Sequence, residues 1–424
     1  SDVYKRQVQE TEKEHEDILE QADETDAMFG ELYSWYLRNP EYRSRVQKLV
    51  QSAFAGKPKD IISQSVAKAL YGEVSPYSAT RLERFAACAF AHFLQYGMKL
   101  TERVEYEFKP MDMGNVMHEA LESFAEEVRK RGMKWTELTE QERNEIADRC
   151  LDNIVADYGN TVLKSSARNE YMIERTRRIL RRTVWALQKQ LEQGEFQPEG
   201  FEVTFGGGRI DRVDIMEDQN KVYVKVIDYK TGNTSFDLVY LYHGLQLQLM
   251  IYLDGALRVE QKKYPDKEII PAGVFYYNIK DPMIQEKIDA DVEAVSAGLM
   301  KELKMNGLVQ ADPELVYRMD SSLGSIPVAF NKDGSFRKNS SVADRTQFAV
   351  LGRYVRMKIE KIRSSILEGD AEVSPYELGK KNACTYCPYM TVCGFDRRLS
   401  GYEFRRLKNF SDEELWKAFD REAE

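Results

Sequence analysis

An α/β fold is predicted from three observations along this 424-residue chain. Up to about residue 193 the apolar residues recur with a helical period. From 201 to 231 the period falls to two, in runs rich in β-branched and aromatic residues broken by glycines or polar turns. A helical period then returns at 243–257 and again at 343–368.

The elements follow in order. Residues 9–72 read as helical and polar, with apolar stretches such as MFGELYSWYL. Ser75 or Ser78 caps a new helix ahead of Leu82, Phe85, Ala86 and Phe90. Another helix starts after Pro110 and carries GNVMHEALESFAEEV, and two more span 137–158 and 167–193. The last has Ile179, Leu180, Val184, Leu187 and Leu191 on an apolar stripe. Its Arg177, Arg178, Arg181 and Arg182 read as a solvated face, with nucleic-acid contact as the alternative. The strands are FEVTF, GGGRIDRVDIM and NKVYVKVIDYKTG. A helix through HGLQLQLMIYLDGAL and a strand at AGVFYYNI come next, then 286–352 as helical stretches mixed with a loop-like segment. A short, irregular, cysteine-rich tail closes the pattern, and there is no internal repeat.

With 42% apolar and 31% charged residues, the chain has material for a core and a well-solvated surface. No run of eighteen apolar residues marks a membrane span, and the opening SDVYKRQVQE has no signal-peptide pattern. A cytoplasmic protein without membrane contact is expected. No GxxxxGK[ST] loop is present, which argues against ATPase machinery in this chain. The net charge of −9 is unevenly spread. Nine carboxylates lie between Glu10 and Asp26, whereas Lys380, Lys381, Arg397, Arg398, Arg405, Arg406 and Lys408 crowd the other end. Phosphate affinity depends on local charge and bound metal, so an acidic total does not exclude a nucleic-acid substrate.

The sharpest constellation lies on two strands. In VYVKVIDYK, Val222, Val224, Val226, Asp228 and Lys230 share one face by period two. An apolar face has no use for an unpaired charge, so the strand is expected to leave the core at Asp228 and enter a cleft holding a cation. In RIDRVDI, Asp211 shares its face with Val213 and Ile215, while Asp214 looks the other way. A hairpin turning at EDQN brings Asp211 beside Asp228. Two adjacent carboxylates repel unless a proton or metal lies between them, and hard oxygen ligands suit Mg²⁺ or Mn²⁺. Lys230 points into the same pocket, placed to orient water or offset transition-state charge. By itself, D-Y-K also fits a surface salt bridge. His118, four residues beyond Gly114 on a helix, is placed to complete the metal site. Gln248 and Tyr252, four apart on a later helix, share a face and can bond water or phosphate.

Five cysteines remain, three of them in C-T-Y-C-P-Y-M-T-V-C as Cys384, Cys387 and Cys393. That spacing favours metal ligation over disulfides. A fourth ligand has to come from elsewhere. Cys88, among aromatic and apolar neighbours, has better surroundings than Cys150. Zinc and iron–sulfur are both open on spacing alone.

The segments SATRLERFAAC, GNVMH, GRIDRVD, VIDYKTG, YHGLQLQLMIYLD, LVYRMDSSLG, NKDGSFRKNSSVA, EVSPYELG and CTYCPYMTVC resemble the C-terminal nuclease region of the AddB family, found in bacterial AddAB helicase–nucleases. The resemblance covers roughly 72–400. It implies a PD-(D/E)XK restriction-endonuclease-like core, a central mixed sheet flanked by helices, with 1–71 as the end of a helicase-like core and 401–424 as a helical tail. It implies His118, Asp211, Asp228 and Lys230 at the nuclease site, with the Tyr229 carbonyl also on Mg²⁺, Gln248 and Tyr252 beside it and Glu202 in a supporting place. It also implies Cys88, Cys384, Cys387 and Cys393 as ligands of a 4Fe-4S cluster, leaving Cys150 without a role. The implied activity is Mg²⁺-dependent exonucleolytic cutting of the 5′-ended DNA strand in double-strand break repair and recombination, beside an AddA-like motor subunit. Alternatives are a catalytically idle DNA-binding module and a stand-alone CRISPR-associated exonuclease.

Overall fold

The structure, a computed structural model, describes residues 27–54, 61–72, 78–101, 110–157, 167–206, 208–284, 291–399 and 401–423. The acidic stretch 10–26 and Ser75 lie outside the described residues. The chain forms two compact units. The smaller comprises 1–59 and 396–402, and its described part contains helices α1 (27–38) and α2 (Pro40–Phe54). In α1 and α2 Trp35, Tyr36 and Tyr42 pack ring to ring.

The larger unit, 60–395 with 403–424, holds the sheet. Its elements are α3 (Gln64–Tyr71), α4 (Ala79–Ala87), α5 (Pro110–Lys130), α6 (Glu140–Asp157), α7 (Ala167–Glu192), β1 (Gln197–Phe205), β2 (Gly208–Asp218), β3 (Lys221–Lys230), α8 (Gln248–Lys263), β4 (Glu268–Asn278), α9 (Val292–Glu302), β5 (Asn306–Gln310), α10 (Pro313–Met319), β6 (Val342–Ala343), α11 (Arg345–Glu368) and α12 (Asp412–Ala423), with shorter turns between. A small second sheet pairs β7 (Tyr376–Leu378) with β8 (Lys381–Asn382) and β9 (Arg405–Arg406). Local chemistry sets several starts. Ser78 accepts a bond from the Arg81 amide at the head of α4, and Asp344 with Gln347 makes a reciprocal cap on α11.

The main sheet runs in spatial order β1 to β6. β1, β2 and β3 form an antiparallel meander. β4 lies parallel to β3, which requires a crossover, and α8 supplies it. β5 is antiparallel to β4, and β6 is parallel to β5. Helices cover both faces. On one, Ile227, Tyr229, Phe275 and Tyr277 pack with residues of α5, α6 and α7 such as Met117, Leu151 and Leu180. On the other, Val222, Val224 and Val226 meet Leu82 of α4, Met250 of α8 and Leu351 of α11. Covering on both sides explains why β3 is almost wholly buried, its face of Val222, Val224 and Val226 apolar until Asp228.

The first face also contains a buried ionic group. Asp214 takes Arg212 Nε at 2.6 Å and Nη2 at 2.9 Å, and Lys225 Nζ stands 3.0 Å away. All three are buried, and the Arg212 guanidinium lies over the rings of Trp135 and Phe201. Burial works against an ionised Asp214, but the two cations outweigh it and hold the carboxyl below its usual range.

Two expectations change. β5 and β6, within the stretch read as helix and loop, complete the sheet edge, and the pairing of β5 with β4 and of β6 with β5 is not a local sequence property. The four arginines singled out on α7 keep an exposed face, but three of the four are ion-paired, while Arg182 lies over the Trp185 ring. Arg177 meets Asp148, Asp152 and Glu174; Arg181 meets Asp148; and Arg178 bonds Asp281 at 2.6 Å. They join α7 to its neighbours. Cys150 is a buried core thiol, pushed up to about 11 by burial.

Candidate active site

The hairpin turn expected at EDQN joins β2 to β3 at residues 218–221, with Gln219 at φ 47°. Its register fixes the site. Arg212 pairs with Ile227, so the next step places Asp211 opposite Asp228. Across the other edge of β2, Phe201 pairs with Arg212 and Val203 with Ile210, so Glu202 stands opposite Asp211. Three carboxylates thus lie in a row across three strands. Glu202 adopts φ 50°, a left-handed conformation unusual for a side chain with a Cβ and frequent at functional sites.

α5 brings His118 over this row. Its Nδ1 lies 3.4 Å from Asp211 Oδ2 and 3.8 Å from Glu202 Oε1. Burial disfavours the imidazolium, but bonds and charge from Asp211 and Glu202 prevail and push His118 up to about 10. Four residues earlier, a Cβ on Gly114 would reach 3.4 Å from Thr231 Oγ1, which is contact and not collision. Close packing is present there, but it does not demand glycine.

The Tyr229 amide donates to Asp211 Oδ2 at 2.7 Å and ties the end of β3 to β2. Asp228 is buried, with Lys230 Nζ 2.6 Å from its Oδ2. Lys230 also donates to Gln248 Oε1 at 2.7 Å, and Gln248 Nε2 donates to Tyr252 OH at 2.9 Å. The expected face of α8 is therefore present and turned to the lysine. Glu202 also pairs with Arg209. Among the described residues, His118, Glu202 and Asp211 form the group whose ligand atoms lie within 4.8 Å of one another, while Asp228 sits beside them against Lys230.

The donor set fits a hard divalent cation. Buried oxygens Asp228 Oδ2 and Glu202 Oε2 have ion-pair neighbours but no aligned hydrogen bond, so lone pairs remain for a metal. Without a metal the crowding is costly. Burial and then the charge of Asp211 push Asp228 up to about 7, against the pull of Lys230. A carboxyl raised in the fold takes up a proton on folding, so it adds stability at low pH that is lost as pH rises from 3.8 towards about 7. EDTA-treated protein is expected to melt at lower temperature at about pH 8 than at about pH 5. Asp228→Asn should flatten that slope, and thermal melts of both proteins check it. Equal slopes would contradict the crowded-carboxylate account.

Sequence reasoning missed Glu83. It lies on α4, in the LERF segment, and accepts from the Leu247 amide at 2.7 Å and the Gln248 amide at 2.9 Å. Burial pushes it up to about 7, with Lys230 and Asp228 both within electrostatic reach. The only sequence signal was an acid at a helix position where Leu82 and Phe85 face the core.

The same helix ends at Cys88, which is buried. Burial pushes the Cys384 thiol up to about 11, and the neighbouring Cys88, Cys387 and Cys393 add to the shift. Arg84 Nη2 lies 3.9 Å from Cys387 Sγ, which gives anionic sulfur a counter-charge. No three of these sulfurs meet the 4.8 Å spacing among the described residues. The basic residues of the C-terminal stretch are largely engaged: Arg405 bonds the Ala86 carbonyl, Arg406 faces Glu377, Lys408 faces Glu414 and Arg398 bonds Asp396.

A mixed sheet with acids at the ends of its central strands, a lysine two residues on and a helix-borne glutamine defines a metal-dependent nuclease fold. The chain belongs to the PD-(D/E)XK nuclease superfamily, whose family model matches residues 76–394. Its relatives include the B-type subunit of the ATP-dependent helicase/deoxyribonuclease of Lachnoclostridium phytofermentans, 41% identical over 94% of this chain and 36% of that protein. Proteins of the same name from Thermoanaerobacter sp. and Alkaliphilus metalliredigens are each 34% identical, over 95% and 94% of this chain and 37% of their own length. The chain thus spans little more than a third of these relatives. No described helix is long and apolar enough to cross a membrane.

Proposed function

We propose that this chain is the DNA-cutting part of an ATP-dependent helicase–deoxyribonuclease, hydrolysing phosphodiesters of the 5′-ended strand during double-strand break repair beside an AddA-like motor subunit. The observation that carries the reading is the row Glu202, Asp211 and Asp228 under His118, with Lys230 against Asp228. Asp211, Asp228, the Tyr229 carbonyl and His118 would hold Mg²⁺ or Mn²⁺, with Glu202 at the same edge. When bound, the ion supplies Lewis-acid stabilisation of charge on the phosphoryl group. The lysine ammonium orients the attacking water and offsets charge on phosphorus as the new P–O bond forms and the leaving P–O bond breaks. Gln248 fixes that ammonium, and Tyr252 fixes Gln248. The water attacks phosphorus directly, without a covalent enzyme intermediate. His118 must give up its proton to ligate the metal, so metal and proton compete there. End-labelled single-stranded DNA with Mg²⁺ is expected to yield short products, and equal cutting by wild type and Asp228→Ala would sink the assignment.

Cys88, Cys384, Cys387 and Cys393 are proposed to hold a 4Fe-4S cluster. A tetrahedral zinc with Zn–S near 2.3 Å would set its sulfurs roughly 3.8 Å apart. The choice of a cluster over zinc rests on the resemblance to the nuclease family, since thiolates serve both. Such a centre staples α4 to the C-terminal part of the nuclease, and closing so long a loop stabilises the fold. Cys387→Ala is expected to lose brown colour, iron and sulfide and to melt earlier, whereas Asp228→Ala keeps all three. Iron, sulfide and zinc analysis after anaerobic purification checks this. Stoichiometric zinc without iron would overturn the cluster and leave the nuclease site standing.

A further inference from the structure

We infer that Glu83 is a positioning residue of the nuclease site, holding Lys230 in place through the start of α8; the inference rests on the nuclease reading above. The first amides of a helix lack intrahelical partners and need an acceptor. α8 begins after Leu247, whose side chain offers none. The acceptor comes instead from a residue more than 160 positions earlier: one oxygen of Glu83 takes both the Leu247 and the Gln248 amides, at 2.7 and 2.9 Å.

The clamped residue is also the one that grips the lysine. The Lys230 ammonium can only donate, so its 2.7 Å contact fixes the Gln248 amide with oxygen towards the lysine and nitrogen towards Tyr252 OH. A continuous line therefore runs from Glu83 through the Gln248 backbone and side chain to Lys230, and from Lys230 to Asp228 at 2.6 Å. A serine or aspartate capping α8 at its own start would reach the amides of Leu249 or Met250 and leave these two unmet. Glu83 instead ties that start to α4, five residues before Cys88, one of the four cysteines proposed to hold the cluster. Loss of the clamp leaves every proposed metal ligand in place but frees the Gln248 end of the lysine's support.

The test compares wild type, Glu83→Ala, Glu83→Gln, Gln248→Ala and the Glu83→Ala/Gln248→Ala pair, each in the full-length protein with its accompanying subunits. kcat and KM on single-stranded DNA are read with saturating Mg²⁺, and melting temperature and visible absorption are recorded alongside. Glu83→Ala is expected to lower kcat about a hundredfold at unchanged KM. Glu83→Gln, whose amide oxygen still accepts both N–H groups, should recover most of it. The pair should be no worse than the poorer single variant, because both act on one lysine. Wild-type kcat in Glu83→Ala, or losses that multiply in the pair, would overturn the inference while Asp228→Ala stays inactive. Should Glu83→Ala fail to fold, the cycle runs with Glu83→Asp, whose shorter side chain draws the oxygen away from both amides, and multiplying losses there overturn it equally. Equal cutting by wild type and Asp228→Ala would mean that the nuclease reading itself had failed.

Discussion

Asp228→Ala is expected to lower Mg²⁺-dependent DNA cleavage by at least about a thousandfold while leaving the fold intact and the metal-free protein no less stable. The two halves of that expectation have one cause. Asp228 is buried with Asp211 as its register neighbour, and both burial and that charge hold it up at about 7. Such a group costs stability in the absence of a cation, which is what a site proposed to hold one would show. Removing it relieves repulsion, releases the Lys230 ammonium from its 2.6 Å partner and takes away a proposed metal ligand. Cleavage assays set beside melts in EDTA measure both effects. A variant that unfolds, or that cuts at the wild-type rate, would place Asp228 in the scaffold instead of the chemistry.

The largest loss of stability is expected from Asp214→Ala, about 3–5 kcal/mol by denaturant unfolding. The substitution removes the anion and leaves Arg212 and Lys225 as two buried, unpaired cations. Stacking on Trp135 and Phe201 offsets part of this for Arg212 but does nothing for its lost hydrogen bonds. Because Arg212 adjoins Asp211 in β2, cleavage should fall as well, with the unfolding midpoint moving first. A change below about 0.5 kcal/mol, the usual range for an exposed site, would show that the group relaxes into solvent.

The contrast between Asp228 and Asp214 also marks what the sequence makes legible. Period two put Asp211 with Val213, and Asp228 with the three valines, and the structure keeps that facing. The turn at EDQN then set the register, so the carboxylate pair and its lysine could be placed from local information. Gln248 and Tyr252 were placed on one face by helical spacing and bond each other, and Gln248 also accepts from Lys230 while His118 lies beside Asp211. Glu83 was not found, because its function lies in accepting amides from a helix far along the chain. β5 and β6 were missed for a related reason: a five-residue strand acquires its form from β4, and a two-residue strand from β5. The arginines of α7 looked free because their acids sit on other elements or other turns. Spacing along one element was readable; partners supplied by a distant one were not.

The central claim is that the carboxylate row, His118 and Lys230 make a divalent-metal phosphodiesterase. The most direct measurement is cleavage of end-labelled single-stranded DNA by the purified protein, titrated with Mg²⁺ and repeated with Mn²⁺ and with EDTA, beside Asp211→Ala and Lys230→Ala. Short products are expected that rise with either metal, vanish in EDTA and are absent with both variants. Products that persist in EDTA, or that form equally well without Asp211 and Lys230, would contradict the account.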